Sequence, residues 1–251
     1  MRHNSSPGDA LKNKVAVVTG GSSGIGLATA EKLASEGAFV YMLARGKEKL
    51  YHAVQSLINK NYSVFPAVCD VSCEESVKKT ITSILERHGR IDILVNNAGV
   101  GYIADVENTT ADQFDETIGT NLRGTFLMTK YTLPVMKKAR DGYIINVSSG
   151  AGLNGIASMS IYCASKFGVR GFTEAVALEA KPFDVRVSVI CPGTVNTNLH
   201  EKFGLTHSEE ACALMIQPED IAETICSLAT SPKRYWIFEI RTRAFMLGRK
   251  T

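Results

Sequence analysis

Short apolar runs rich in β-branched residues alternate along this chain with longer segments whose apolar residues recur at helical spacing. The strand-sized runs are Val15 to Thr19, Phe39 to Ala44, Val64 to Val68, Ile91 to Val95, Tyr143 to Val147, Val185 to Cys191 and Trp236 to Ile240. The helical segments include Ile25 to Ser35, Glu74 to Arg87, Phe114 to Met136, Ile161 to Glu179 and Pro218 to Leu228. Strands buried on both faces read as continuous apolar runs, and helices join parallel strands. The pattern therefore predicts an α/β fold with a doubly wound parallel sheet.

The chain length of 251 residues suits one large α/β domain, and no repeat, linker or low-complexity block divides it. Residues 1–10 are polar, so we expect a flexible tail there and a single domain over 11–251. Neither a secretory signal nor an apolar run approaching the roughly 18 residues of a membrane span is present in the sequence. We therefore expect no membrane partner.

Charge and cysteine usage narrow the classes of partner further. The net charge is +3, from 28 Lys plus Arg against 25 Asp plus Glu, and it is too small and too evenly spread to indicate nucleic-acid binding. The 6 cysteines are scattered, with no Cys-x-x-Cys pair and no histidines at metal-ligand spacing. We expect reduced thiols, a cytoplasmic location, no metal and a small-molecule partner.

A glycine-rich turn follows the first strand, with Gly20, Gly24 and Gly26 spaced Gly-x-x-x-Gly-x-Gly. Glycine tolerates positive φ and lacks the Cβ that would block a pyrophosphate. The helix from about Ile25 presents free N–H groups and the positive end of its dipole. The turn therefore predicts a phosphate-binding site, although such a turn can also serve tight packing alone.

Tyr162 and Lys166 lie four residues apart in a helical segment and share one helix face. A phenol titrates near 10 and is a poor proton donor or acceptor at neutral pH unless its anion is stabilised. The nearby ammonium is expected to lower the pKa of Tyr162 and so make it a usable acid or base. The alternative is a solvated surface pair, which the small flanking residues Cys163, Ala164 and Gly168 disfavour.

These two features and the run Asn96-Asn97-Ala98-Gly99 resemble the short-chain dehydrogenase/reductase family, over about residues 11–220. Further family marks follow other strands, in order along the chain: Asp70-Val71, Asn121, Ser149 and the run Pro192 to Thr197. The resemblance implies a Rossmann-like fold of about seven strands. It also implies a nicotinamide-dependent oxidoreductase that interconverts a carbonyl and a secondary alcohol.

The resemblance also implies the catalytic roles. Tyr162 would be the general acid/base, and the positive charge of an oxidised nicotinamide would add to that of Lys166 in lowering the pKa of Tyr162. Lys166 would also hold the nicotinamide ribose, and Ser149 would hydrogen-bond the reacting oxygen. Strand alternation points Ser148 and Ser149 to opposite faces, and only the resemblance favours Ser149. Asn121, expected to open a long helix, would hold a water that links Lys166 to solvent; the alternative is a helix cap.

Cofactor choice depends on the tip of the second strand, where an acidic residue would favour NAD(H). Ala44 and Arg45 stand there, and an arginine can grip a 2′-phosphate, so we predict NADP(H), with NAD(H) as the alternative. Arg45 could instead cap or solvate the next helix. The expected cofactor-binding residues are Gly20, Ser22, Ser23, Gly24, Ile25, Arg45, Asp70, Val71, Asn97, Ala98, Gly99, Tyr162, Lys166, Pro192, Gly193, Val195 and Thr197.

The substrate is less well defined by the sequence. Residues 198–216 read as a short lid, and an apolar wall would suit a carbonyl compound with apolar bulk. His200 and His207 could bind an acidic group of the substrate, but we expect them to be solvated, as lone histidines in a polar loop usually are. The end of the chain lacks the Asp-Gly-Gly turn of the family's acyl-carrier-protein reductases, which weighs against that substrate. The candidate wall residues are Tyr102, Leu153, Ile156, Met159, Leu199 and Phe203.

Two other functions on the same fold are a non-catalytic dinucleotide sensor and a sugar-nucleotide epimerase or dehydratase. The intact set of Tyr162, Lys166, Ser149 and Asn121 speaks against a sensor. The few residues after Pro192 leave little room for the substrate domain of an epimerase. The helix that carries Tyr162 is rich in small side chains, so it could pack closely against another subunit. We therefore expect a homodimer or a homotetramer.

Overall fold

The structure is a computed structural model that describes residues 8–246, apart from the side chains at 201 and 202. Within that range one sheet of seven parallel strands has the order β3-β2-β1-β4-β5-β6-β7. The strands are β1 Val15–Thr19, β2 Phe39–Ala44, β3 Val64–Val68, β4 Ile93–Asn96, β5 Gly142–Val147, β6 Val185–Cys191 and β7 Glu239–Arg241. The predicted Rossmann-like, doubly wound fold is confirmed. Most of the predicted tail over 1–10 lies outside the described residues.

Helices cover both faces of this sheet. They are α1 Gly24–Ser35, α2 Lys47–Ile58, α3 Glu74–His88, α4 Ala111–Ile118, α5 Gly124–Ala139, α6 Ser160–Ala180, α7 Leu199–Lys202, α8 Glu209–Leu214 and α9 Pro218–Thr230. One apolar core packs α1, α2 and α9 against the sheet, and a second core packs α3, α5 and α6 against the other face. Alternate residues of β1 enter the two cores, Ala16 and Val18 the first, Val15 and Val17 the second. This explains why the strands read as continuous apolar runs.

Several elements differ from the sequence-based expectation. Strand β4 begins two residues later than expected, and helix α2 was expected after Arg45 only without bounds. The segment expected as one helix over Phe114 to Met136 consists of α4, a π-helical turn at Gly119–Arg123 and α5. The last strand begins at Glu239 instead of Trp236, where its ladder with β6 begins, and the indole of Trp236 donates to the carbonyl of Val187 at 3.0 Å.

The strand order fixes where a ligand can bind. From β1 the chain adds β2 and β3 on one side of the sheet. It then crosses back and adds β4 on the other side of β1. A crevice forms at such a switch point, outside the carboxyl ends of the strands. The turns after β1 and β4 therefore face each other across the site described below.

Between residues 8 and 246, none of the helices combines the length and the apolar character that crossing a bilayer would need.

Candidate active site

The turn between β1 and α1 packs so closely against its neighbours that a Cβ would clash at several of its glycines. Gly20 and Gly24 have φ of +66° and +52°, conformations that favour glycine. A Cβ on Gly26 would overlap the carbonyl oxygen of Gly20. Ser23 is the N-cap of α1, yet its side chain makes no capping hydrogen bond among the described residues. The first turn of α1 can therefore bind an anion through its backbone N–H groups.

Thr19 joins this turn to the one after β4. Its buried hydroxyl accepts from the backbone N–H groups of Asn97 and Ala98 at 2.9 and 3.0 Å. The amide Nδ2 of Asn97 donates to the carbonyl of Thr19 at 3.0 Å. Two segments predicted to bind the cofactor thus form one continuous surface. The sequence places Thr19 at the start of the glycine-rich turn, but it does not indicate that the hydroxyl of Thr19 joins the two turns.

Tyr162 and Lys166 stand one turn apart on α6, and both are buried, with exposed fractions of 7% and 4%. The ammonium of Lys166 donates to the carbonyl of Val147, at the end of β5, at 3.0 Å. It lies 5.7 Å from the centre of the Tyr162 ring. The alternative of a solvated surface pair is therefore wrong, since both side chains are held in the interior.

Strand alternation separates the two serines after β5 as expected. The hydroxyl of Ser148 donates to the backbone carbonyl of Lys166 at 2.8 Å and so anchors α6. The hydroxyl of Ser149 accepts from the N–H of Ala151 at 3.1 Å and hydrogen-bonds Tyr162. Ser149, the residue favoured by the resemblance, is thus the serine that contacts the phenol.

Burial changes the proton affinity of both groups on α6. It raises the pKa of Tyr162 to about 12, against the opposing effect of the Ser149 hydrogen bond. It lowers the pKa of Lys166 to about 8. The expectation that Lys166 brings the pKa of Tyr162 below its usual value is wrong for this structure. Desolvation dominates because the phenol itself is buried, and the ammonium of Lys166 is held by the carbonyl of Val147.

Asn121 neither opens a helix nor caps one, contrary to both expectations, because it lies inside the π-helical turn Gly119–Arg123. Its buried amide accepts from the N–H of Val100 and donates to the carbonyl of Val100, both at 2.8 Å. It also donates to the hydroxyl of Ser165 at 2.9 Å. A Cβ on Gly99 would stand 3.4 Å from the Lys166 ammonium and 3.5 Å from Oδ1 of Asn121. Asn121 therefore ties the loop after β4 to α6, beside Lys166.

Arg45, at the end of β2, does not cap α2, because its guanidinium pairs with Glu116 on α4 at 3.0 Å. The other carboxylate oxygen of Glu116 accepts from the hydroxyl of Tyr102. Tyr102 is therefore turned towards α4, and neither it nor Leu153 lines the cleft where the substrate wall was expected. The remaining four wall candidates do line it: Ile156, Met159, Leu199 and Phe203.

A cleft of about 790 Å³ runs along the carboxyl ends of the strands. Asp70 and Asn121 lie outside its lining; the Asp70 carboxylate instead accepts from the N–H and hydroxyl of Ser72 at 2.9 and 2.7 Å. All the other predicted site residues line it, namely Gly20, Ser22, Ser23, Gly24, Ile25, Arg45, Val71, Asn97, Ala98, Gly99, Ser149, Tyr162, Lys166, Pro192, Gly193, Val195 and Thr197.

The predicted lid lies over the tyrosine. The ring of Phe203 meets Tyr162 edge to face, with centroids 5.5 Å apart. His200 and His207 line the cleft with their ring centroids 4.9 Å apart, and burial lowers the pKa of His200. The expectation that both imidazoles are simply solvated is wrong for His200, which is half-buried. Within residues 8–246 no group of three metal-ligating side chains comes together.

Comparisons with known proteins agree with this architecture. The family model described as short chain dehydrogenase matches residues 14–207. The chain is similar to the 3-oxoacyl-acyl-carrier-protein reductase of Thermotoga maritima, 35% identical over 230 residues, which cover 90% of this chain and 94% of that protein.

Two solved structures share the whole fold. One is a metagenomic short-chain oxidoreductase in complex with NADP, with a TM-score of 0.81 and 36% identity, covering 92% of this chain and 98% of that one. The other is a variant of the actinorhodin polyketide ketoreductase with NADPH, with a TM-score of 0.84 and 30% identity, covering 94% and 98%. The chain therefore belongs to the short-chain dehydrogenase family of oxidoreductases.

Proposed function

We propose that this chain is an NADP(H)-dependent oxidoreductase that interconverts a carbonyl and a secondary alcohol, with Tyr162 as general acid/base. One observation carries the proposal: the buried pair Tyr162 and Lys166 lines the same cleft as the uncapped start of α1. An acid and a site for a dinucleotide phosphate thus share one cavity. That combination suits acid-assisted reduction of a carbonyl next to a nicotinamide.

The residues present fit a dinucleotide. Gly20 and the residues Ser22 to Ile25 line the cleft, and the uncapped backbone N–H groups at the start of α1 would hold the pyrophosphate. Lys166 would hold the nicotinamide ribose, and Arg45 would meet a 2′-phosphate. When bound, the nicotinamide supplies or accepts a hydride. NADP(H) is preferred because no acidic residue stands at the tip of β2 and two similar structures contain NADP or NADPH.

In the direction of reduction, Tyr162 starts as the neutral phenol, which is its form at neutral pH. Its hydroxyl donates that proton to the carbonyl oxygen of the substrate, which Ser149 orients by a hydrogen bond. The tyrosinate that remains is stabilised by the ammonium of Lys166. Oxidation reverses these steps, with the tyrosinate taking the proton of the alcohol.

Asn121 keeps a role in this scheme that is consistent with its contacts. Its bonds to Val100 fix the loop that carries Gly99, and Gly99 leaves space next to the Lys166 ammonium. A water in that space would return protons from solvent to Lys166 and onwards to Tyr162. Asn121 therefore acts through position rather than by touching the substrate.

A panel of aldehydes, ketones, hydroxy acids and bulky secondary alcohols tests the proposal. Turnover is followed at the nicotinamide absorbance with NADP(H) and NAD(H), and binding of each dinucleotide is measured separately by titration. We expect binding of both, tighter binding of NADPH, and turnover of apolar carbonyl compounds. Failure to bind either dinucleotide would overturn the proposal, and binding without turnover of any compound would favour a sensor.

The same proposal includes a homodimer or homotetramer built on the outer faces of α5 and α6. Aromatic residues on the surface of these helices support it. Phe126 and Phe167 are exposed, and the ring centroids of Phe126 and Phe172 lie 6.3 Å apart. Light scattering of the purified protein measures the mass of the assembly. The cytoplasmic location expected from the reduced thiols stays a prediction, which cell fractionation tests.

A further inference from the structure

One carboxylate connects the two predicted ligand regions. Glu116 lies on α4, 71 residues beyond Arg45, and its Oε1 accepts from the Arg45 guanidinium at 3.0 Å. Its Oε2 accepts from the hydroxyl of Tyr102, in the segment that follows Gly99. The hydrogen bond to this carboxylate raises the pKa of Tyr102 above its usual value. Arg45 lines the cleft, so its ion-pair partner stands at the edge of the ligand site.

An anionic ligand at this place must share the guanidinium with Glu116. A phosphate monoester carries a charge of about −1.5 to −2 at neutral pH and attracts arginine strongly. The Glu116 carboxylate has the same sign, so it repels the phosphate while it offers Arg45 a competing partner. Both side chains are partly exposed, at 47% for Arg45 and 35% for Glu116, which limits this effect to a modest factor.

We propose that Glu116 is a specificity-determining residue that weakens binding of the 2′-phosphorylated dinucleotide by competing for Arg45. This inference rests on the proposed function, in which Arg45 meets the 2′-phosphate. NAD(H) carries no phosphate at that position and is indifferent to Glu116. The selectivity of the cleft is therefore set by the balance between Arg45 and the carboxylate, not by the arginine alone.

The variant Glu116→Gln removes the charge and keeps the shape, because the amide oxygen can accept from Arg45 while the amide N–H can donate to the hydroxyl of Tyr102. We expect the Kd of NADPH to fall about two- to fivefold at low salt, the scale of a partly exposed ion pair. The Kd of NADH should change less than the Kd of NADPH, and the gain for NADPH should shrink at high salt. Binding is measured by fluorescence or calorimetric titration, without turnover.

Asp115→Asn is the matched control, since it removes the same charge from the neighbouring, exposed residue. We expect it to leave both affinities unchanged. An equal gain for NADPH in Asp115→Asn would overturn the inference, because general electrostatics would then explain it. Weaker or unchanged NADPH binding in Glu116→Gln would also overturn it, since Glu116 would then orient Arg45 or have no influence.

Arg45→Ala distinguishes failure of this inference from failure of the proposed cofactor site. If Arg45→Ala weakens NADPH binding and Glu116→Gln does not strengthen it, only the role of Glu116 is wrong. If Arg45→Ala leaves NADPH binding unchanged, Arg45 does not meet the 2′-phosphate. In that case the assignment of Arg45 to the cofactor site and the role of Glu116 are both wrong. Strengthening in Glu116→Gln together with weakening in Arg45→Ala supports both.

Discussion

The two ends of the cleft differ in how far their ionisable side chains are exposed to solvent. At the inner end, Tyr162 and Lys166 are buried, and their partners include the carbonyl of Val147 and the hydroxyl of Ser149. At the rim, Arg45 and Glu116 pair with each other while remaining partly exposed. Desolvation therefore governs proton affinity at the inner end, whereas water and salt weaken the forces at the rim. The inner end is suited to chemistry, and the rim to selecting among ligands by modest factors.

The largest effect expected from this contrast is in Tyr162→Phe, which removes only the titrating hydroxyl of the inner end. We expect kcat to fall about 10²- to 10⁴-fold, the usual contribution of a positioned acid or base. NADPH affinity should stay within about twofold, because the ring and its contact with Phe203 remain. Stopped-flow or steady-state assays at the nicotinamide absorbance measure the first quantity, and titration measures the second. Turnover close to that of the wild type would remove Tyr162 from the chemistry.

Asn121→Ala tests whether the inner end depends on its buried support. The change leaves the N–H and carbonyl of Val100 without these partners, which costs about 2 to 4 kcal/mol of the free energy of unfolding. Urea denaturation measures this loss, and kcat should fall as the loop at Gly99 loosens. The exposed Asn108→Ala is the control and should change stability by less than about 0.5 kcal/mol. A loss as small as that of the control would mean that the buried bonds do not support the loop.

Lys166→Met tests the low pKa of the buried ammonium. With the pKa at about 8 in the folded protein and the usual 10.5 when unfolded, the unfolded chain binds more protons between these values. The stability of the wild type relative to the variant should therefore rise with pH, by about 2 kcal/mol between pH 7 and 9.5. Urea unfolding of both proteins, without added dinucleotide, measures the trend. A difference that stays flat with pH would show that Lys166 titrates normally.

The smallest effect expected concerns the rim. Arg45→Ala should weaken NADPH binding about tenfold through the loss of a partly exposed, charge-assisted contact. NADH binding should change by less than about twofold, since it offers no 2′-phosphate. The exposed Arg234→Ala is the control for net charge and should leave both affinities unchanged. Equal weakening of NADPH and NADH would show that Arg45 supports the fold of the site rather than its selectivity.

The sequence predicted the sheet well because most strands are continuous apolar runs between clear breaks. The bounds of β1, β2, β3 and β6 agree with the predicted runs. The bounds of helix α2 were not predicted, although Leu50, Val54 and Leu57 recur at helical spacing and are buried. The start of β7 could not be read from the sequence, because it depends on the pairing with β6, which joins Val189 and Glu239.

The sequence predicted those features of the candidate site that depend on the spacing of residues within one strand, turn or helix. The glycine turn, the Tyr162–Lys166 pair and the opposite orientations of Ser148 and Ser149 follow from helix and strand periodicity. The sign of the pKa shift of Tyr162 does not, because burial depends on the whole fold. The ion pair of Arg45 with Glu116 also escapes sequence reasoning, since it joins residues far apart and nothing local marks it.

The π-helical turn at Gly119–Arg123 makes this part of the chain sensitive to its length as well as to its composition. Such a turn holds one residue more than the α-helical turn it replaces. Deleting one residue there would let α4 run into α5 as a regular helix, in which the flanking segments keep their faces but the residues of the turn itself change position. Asn121, whose carbonyl also accepts from the Thr125 hydroxyl at 2.7 Å, would no longer face Val100. A single-codon deletion could thus inactivate the enzyme although every residue that lines the cleft except Thr120 lies outside that turn.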